Sequence, residues 1–315
     1  MAVGARPLVP SRLAPGGVAH GSRRTPTTVV GGFVALTKPR IIELLLITTV
    51  PTMVLAQGGW PRTSLVLITL LGGTLAAGGA NAFNMVIDRD IDALMPRTQG
   101  RPLVTGLIAP RQAVVFAGLL EVIAFAVLWR WANLLSACLA LSATLFYVFV
   151  YTIWLKRTST QNIVIGGAAG AVPVLVGWAA VQNNVTWTPI VLFVAMFLWT
   201  PPHFWALAIR YADDYRAANV PMLPAVTTPQ VTAHKMVWYT VALVISTLVL
   251  WPVAHLSWGY GAAAVALGGL FLWGTIDLGR NPTPQRSMRV FGYSITYVTL
   301  LFGAMTLDVL VRHGR

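Results

Sequence analysis

Long runs without a charged residue dominate this chain. Thr63 to Ile87, Trp131 to Leu155 and Val290 to Leu307 contain none, and each approaches the ~20 apolar residues that a helix needs to cross a bilayer core. Two runs are too long for one crossing. Thr158 to Ile209 breaks at the polar Gln182-Asn183-Asn184, and Met236 to Ile276 breaks between Trp251-Pro252 and Gly259. Two more stretches tolerate a single acid, Glu43 within Ile41 to Trp60 and Glu121 between Arg111 and Arg130. The pattern predicts nine membrane helices near 41–58, 64–87, 112–130, 133–155, 162–181, 188–209, 236–254, 260–278 and 290–309. The class is an all-α membrane protein, and residues 36–315 form one transmembrane domain.

Basic residues orient that array. All but four of the 22 Lys and Arg residues fall before the first helix or in alternate connections after it; Arg62, Arg130, Arg312 and Arg315 are the exceptions. Positive residues stay on the cytoplasmic side, so the N-terminus is expected inside and the C-terminus outside. Residues 1–35 hold Arg, Pro, Gly and Ser without an acid. They read as a disordered basic tail. The expected location is a bacterial plasma membrane; an acid-poor, Arg-rich leader also suits import to the mitochondrial inner membrane.

Composition supports the class. Charged residues make up 10% of the chain, against ~25% in soluble domains, so no aqueous surface could be built around it. The 28 glycines and 12 tryptophans suit close helix packing and interfacial anchoring. A net charge of +13 would suggest nucleic acid in a soluble protein, but here the bases lie between spans, where they set topology and bind anions. The partners expected are therefore the lipid bilayer and anionic small molecules, with no nucleic acid. The lone cysteine, Cys138, excludes an internal disulfide and a Cys-based zinc site; it is expected to be a small buried packing residue.

The nine acids carry the chemistry. Five of them lie in two connections, Asp88, Asp90 and Asp92 after the second predicted helix and Asp213 and Asp214 after the sixth. Asn84, Asp88 and Asp92 are four residues apart and so share one face of a continuing helix, with Asp90 pointing away. Stacked carboxylates repel unless a cation intervenes. Two carboxylates and an amide oxygen are hard ligands suited to Mg²⁺, which is held by one or two carboxylates plus substrate phosphates. The plainer alternative is a solvated helix end whose aspartates pair with Arg89 and Arg97. Bases are close by: Arg97 and Arg101 follow directly, Lys156 and Arg157 close the fourth helix on the same side, and His203, Arg210 and Arg216 flank the second cluster. Arginine grips phosphate or carboxylate in a two-pronged fork. Such clusters at the mouth of an apolar bundle describe a ligand with an anionic head and a greasy tail. A secondary transporter for an anionic metabolite is the rival, but its site is expected near the bilayer midplane rather than at one face.

Three single residues are weighed separately. His203 follows Pro201-Pro202, a pair expected to bend or end its helix; it either contacts a bound ligand or caps the carbonyls freed there. Glu121 lies in mid-span, where a charge costs ~2.5–3.5 kcal/mol, and stays outside the predicted site. Glu43 is near enough to the interface to pair with Lys38 or Arg40.

These residues resemble the UbiA-type intramembrane prenyltransferases, whose first motif Asn-x3-Asp-x3-Asp is matched by Asn84, Asp88 and Asp92. The blocks Leu36-Thr-Lys38-Pro-Arg40, Arg97-Thr…Arg101-Pro-Leu, Tyr151-Thr…Trp154-Leu-Lys156-Arg157, Pro202-His203-Phe-Trp-Ala-Leu and Asp214 to Pro224 are similar to its haem-farnesylating branch. The likeness covers roughly residues 33 to 310. It implies a UbiA-type bundle, farnesyl diphosphate and haem B as substrates, Mg²⁺ as cofactor, and a haem A synthase or terminal oxidase as recipient of the product. Asp88, Asp92 and Asp214 would hold the metal, with Asn84 beside them. Arg97, Arg101, Lys156, Arg157, His203 and Arg210 would bind the diphosphate or haem propionates, with haem iron as a further reading for His203. Tyr151, Phe204 and Trp205 would offer aromatic faces to an allylic cation. The sequence departs from the wider superfamily at its second motif, where Arg210 stands four residues before Asp214 in place of an aspartate; Asp213 is off-register.

Overall fold

The computed structural model describes residues 28–313. Residues 1–27 lie outside the described residues, as do the side chains of Arg40 and Glu43, so the leader and the Glu43 pairing have no structural counterpart here. Residues 29–35, which the sequence reading assigned to the tail, are helical. α1, Val29–Leu36, is capped by Thr28, whose hydroxyl accepts from Gly31 N at 3.1 Å, a favourable N-cap.

The helices follow in chain order: α2 Pro39–Gln57, α3 Thr63–Ile87, α4 Arg89–Leu94, α5 Pro110–Trp131 and α6 Leu134–Leu145. α6 continues as a π-helical segment, Phe146–Leu155, and a last turn, α7 Lys156–Thr158. Then come α8 Asn162–Gln182, α9 Trp187–Arg210, α10 Ala212–Ala217, α11 Leu223–Val226, α12 Pro229–Val253, α13 Trp258–Arg280 and α14 Pro284–His313. Among the described residues no strand occurs. Eight helical stretches are long and apolar enough to span a membrane, and α2 adds a shorter apolar run, Ile47–Gln57. Each predicted segment is helical, eight of them long and apolar enough for a span, and the ends agree within a few residues apart from α12 and α14. These start seven and six residues earlier, at Pro229 and Pro284, because proline at the first turn needs no N–H partner.

Successive long helices pack against one another from α3 through α14, and α14 returns to α2, closing the bundle. α2 also packs along α8, where a Cβ on Gly177 would lie 2.8 Å from Thr49 O; only glycine admits so close a backbone approach. The largest buried cluster joins α8, α9, α12, α13 and α14 through residues such as Trp205, Met236, Phe271 and Tyr297.

One local expectation is narrowed and another is corrected. Of the two readings of Pro201-Pro202, an end to the helix is removed: α9 runs on to Arg210, as the predicted span 188–209 required, since neighbouring helices hold it on both sides and prolines are tolerated in such packed spans. Cys138 is exposed rather than buried, because α6 turns Ser136, Ala137, Ala140 and Thr144 inward and position 138 falls off that face.

Candidate active site

At one end of the bundle the polar residues of six segments converge. α3 ends at Ile87, yet its helical path barely breaks: Asp88 N donates to Asn84 O at 2.9 Å and Asp92 N to Asp88 O at 2.8 Å. Asn84, Asp88 and Asp92 therefore share a face, and all three are buried, at 2%, 0% and 3% exposure. Asp90 points outward, as its register requires.

Each buried carboxylate meets a base from another segment. Lys156 of α7 donates to Asp88 Oδ2, which also accepts from Asn84 Nδ2 at 2.7 Å. Arg101 donates to Asp92 Oδ2 at 2.5 Å. Arg157 forks onto Asp90 with two 2.7 Å bonds, reaches Ile87 O at 2.9 Å, and comes within 4.0 Å of Asp88 Oδ1. The fork holds the Asp90 carboxyl down at about 2. The solvated helix end with Arg89 and Arg97 as partners is thus not what forms.

The second acidic connection folds onto the first. Ile91 and Met95 pack with Ala218, Val220 and Tyr215. Arg97 lies over the rings of Tyr211 and Tyr215, 5.5 and 5.1 Å from their centroids, and its Nε approaches Asp214 Oδ2 to 3.5 Å without a hydrogen bond. The structure so brings together Asn84, Asp88, Asp92, Arg97, Arg101, Lys156, Arg157 and Asp214. Asp213 is 95% exposed and paired with Arg216. Arg210 is exposed against Tyr211, 5.9 Å from its ring centroid.

His203 goes elsewhere. Its ring lies between Trp199 and Phe291, with centroids 4.1 and 4.6 Å away, and its Nδ1 meets Ser294 Oγ of α14 at 2.6 Å. Its hydrogen-bond partner is therefore a hydroxyl on a neighbouring helix rather than a freed carbonyl of α9.

Below the ionic cluster, between α2, α3, α6, the π segment, α8 and α9, opens an apolar chamber of about 280 Å³. Tyr147 and Tyr151 stand at its wall, stacked at 5.3 Å with 20° between ring planes. Both rings lie on the π-helical segment, whose last backbone bond runs from Lys156 N to Tyr151 O, and Thr152 Oγ1 donates to Tyr147 O at 2.8 Å beside them; π-helical turns are found most at functional sites. Gly166 makes room for Tyr151, since a Cβ there would lie 2.2 Å from the ring. Phe204 also lines the chamber, whereas Trp205 does not; it is buried against Tyr239.

Sequence reasoning did not place Lys38, Thr152 or Tyr147 in the site. Lys38 turns into the left-handed region, φ 52°, at a cost of about 1–3 kcal/mol. The turn carries Nζ inward to Asn84 Oδ1 at 2.7 Å. Burial, with Arg101 and Lys156 nearby, lowers its amine to about 7. Its sequence signals were a lysine directly before Pro39 and its place in the block Leu36-Thr-Lys38-Pro-Arg40. Asn84 completes its bonding by donating to Thr152 Oγ1 at 3.1 Å.

Among the described residues no three Asp, Glu, His or Cys side chains form a ready metal cage. Two carboxylate oxygens are nonetheless open: Asp88 Oδ1 and Asp214 Oδ2 are buried without a hydrogen-bond partner. Buried orphan acceptors are costly, and hard oxygens of this kind fit a divalent cation that takes its remaining ligands from phosphate and water.

Comparison with known proteins follows the same lines. The model of the UbiA prenyltransferase family matches residues 45–302. A protoheme IX farnesyltransferase of Clavibacter michiganensis is 53% identical over 282 residues, 89% of this chain and 92% of that protein. One of Streptomyces coelicolor is 50% identical over 289 residues, 90% and 92% of the two chains. Among solved structures, digeranylgeranylglyceryl phosphate synthase superposes with a TM-score of 0.75 at 15% identity, covering 90% of this chain and 99% of that one. A UbiA homolog from Archaeoglobus fulgidus bound to DMAPP and Mg²⁺ gives 0.59 at 17% identity, covering 89% and 99%.

Proposed function

The chain belongs to the UbiA prenyltransferase family, and on that premise we propose that it transfers the farnesyl group of farnesyl diphosphate to a vinyl group of haem B, with addition of water, giving haem O and diphosphate. The observation that carries the reading is the ring of paired acids and bases at the mouth of an apolar chamber. The half-identical relatives named for haem farnesylation supply the acceptor.

The residues divide the work. Asp88, Asp92 and Asp214 would hold Mg²⁺, which when bound neutralises charge on the diphosphate. Lys38, Arg101 and Lys156 are buried or partly buried bases within a few ångströms of Asn84, Asp92 and Asp88. They stabilise the negative charge that grows on the leaving group, in a site where preorganised charges count for more than in water. Arg97, held over two tyrosine rings, adds charge for the diphosphate or for a haem propionate. Tyr147, Tyr151 and Phe204 present ring faces to the allylic cation, a favourable arrangement for positive charge. The apolar walls keep bulk water from it. His203 packs behind the chamber residues Trp199 and Phe204 and steadies that wall. No covalent enzyme intermediate is needed. We place the protein in a bacterial plasma membrane as a nine-span protein, with the acidic end and the N-terminus cytoplasmic and the product passing to a haem A synthase or oxidase.

The test is to supply membranes containing the protein with haem B, farnesyl diphosphate and Mg²⁺ and to analyse extracted haems by mass spectrometry. A hydroxyethylfarnesyl haem that disappears on chelation is expected. Mg²⁺-dependent diphosphate release with a quinone precursor, and no haem product, would move the acceptor while keeping the family.

A further inference from the structure

Glu121 lies midway along α5, and the ionic cluster has no use for it. The fold nevertheless accommodates it specifically. Thr144 Oγ1 donates to Glu121 Oε1 at 3.1 Å. Opposite, α3 carries Gly79, where a Cβ would fall 2.6 Å from Oε1 and 3.0 Å from Ala117 O. The carboxyl group thus occupies a notch between three helices. Thr144 is buried and lines the chamber, while Glu121 does not reach it. The carboxyl stands one hydroxyl behind the chamber wall.

That hydroxyl is used differently from those of Thr69 and Thr200 on the same wall. Thr69 and Thr200 give their protons to Leu65 O at 2.8 Å and Met196 O at 3.0 Å, the usual bond of a threonine to its own helix. Thr144 gives its proton to an ionisable group. Thr144 itself lines the chamber, so the same hydroxyl-bearing residue adjoins both the cavity and the carboxyl group.

We propose that Thr144 and Glu121 are the proton exit for the water-addition step, Thr144 touching the incoming water and Glu121 receiving the proton through it. The proposal rests on the haem-farnesylating reading above. In that reaction the vinyl π electrons form the new bond to the farnesyl carbon released by diphosphate, leaving positive charge on the vinyl carbon next to the porphyrin. A water oxygen gives a lone pair to that carbon and forms the C–O bond. One of its protons passes to Thr144 Oγ1 as the proton already on Thr144 moves to Glu121 Oε1. One water is consumed, its hydroxyl stays on the product, and its proton ends on the carboxylate; nothing is oxidised or reduced. An ionised carboxylate within a span is costly, so accepting a proton there is favoured. A group so placed acts as a general base once water attacks.

The experiment compares Glu121→Gln, Thr144→Val and Thr144→Ser with the unaltered protein in membranes, following diphosphate release and haem products by mass spectrometry. Haem product from the unaltered protein tests the underlying reading; its absence would fail that reading and leave the variants unneeded. Given that product, Thr144→Ser should keep it. Glu121→Gln and Thr144→Val should release diphosphate while hydroxylated product falls by roughly 100-fold. A haem lighter by one water should take its place, formed when the cation loses a proton from carbon instead. Unchanged hydroxylated product in both variants overturns the proposal. So does parallel loss of diphosphate release and product, which would mean that the pair only shapes the wall.

Discussion

Removing the charge of Asp88 should separate what holds the site together from what makes it work. Asp88 is 0% exposed, bonded to Asn84 and Lys156, with Arg157 4.0 Å away. Asp88→Asn keeps the shape and leaves the Lys156 charge, on a side chain 14% exposed, without its partner. Stranding one member of a buried pair costs about 3–5 kcal/mol, and the residual exposure of Lys156 puts this variant near the lower end. Lys156→Met strands the more deeply buried partner, and its cost should be at least as large. The double variant removes both charges, a replacement that is often neutral, so stability should largely return, with a coupling of about 2–3 kcal/mol. Activity should not return, because in the proposed mechanism the carboxylate would hold the metal and the lysine would face the phosphate. The pair Asp90–Arg157 is the control: its side chains are 59% and 34% exposed, so its coupling should stay below ~1 kcal/mol, and Asp90→Asn should remain active. The measurements are denaturant unfolding in detergent and the haem product assay. Full transfer by the double Asp88/Lys156 variant, or a coupling no larger than that of the control pair, would refute the reasoning.

Three further outcomes are expected. The Asp90 carboxyl is lowered from 3.8 to about 2 by Arg157, so its contribution is complete above pH ~4 and is lost as pH falls toward 2; screening keeps it under ~1 kcal/mol. Arg157→Met should remove that part of the pH dependence of unfolding, and an unchanged acid limb would count against the assignment. Lys38→Met should raise the KM for farnesyl diphosphate by about tenfold, ~1.4 kcal/mol, with the fold retained by circular dichroism. Gly170 lines the chamber and has open space where a Cβ would stand; Gly170→Leu should cut farnesyl turnover about tenfold while geranyl diphosphate is still accepted, and equal loss with both would argue against the tail lying there.

The acidic motif shows how far spacing reaches. A four-residue period put Asn84, Asp88 and Asp92 on one face and Asp90 on the other, because helical geometry is local and survives the short break at Asp88. The same reasoning could not say which base would meet which acid. Arg89 and Arg97 were the near neighbours in sequence, but the partners are Arg101, Lys156 and Arg157, and two of these come from a segment 67 or 68 residues away. Lys38 was hidden for the same reason: it meets Asn84 across 46 residues. His203 and Trp205 shared a sequence block with Phe204, yet only Phe204 reaches the chamber, since successive residues on a helix point about 100° apart.

By itself the sequence determined the class, the helix positions and the end of the bundle at which charge collects. These follow from the cost of placing charges and unpaired backbone groups in lipid, which each segment meets or fails on its own. Tertiary structure alone decided the ion pairs, the stacked tyrosines, the chamber and the notch around Glu121. Each depends on which faces of distant helices meet, and close packing fixes that only when the whole bundle assembles.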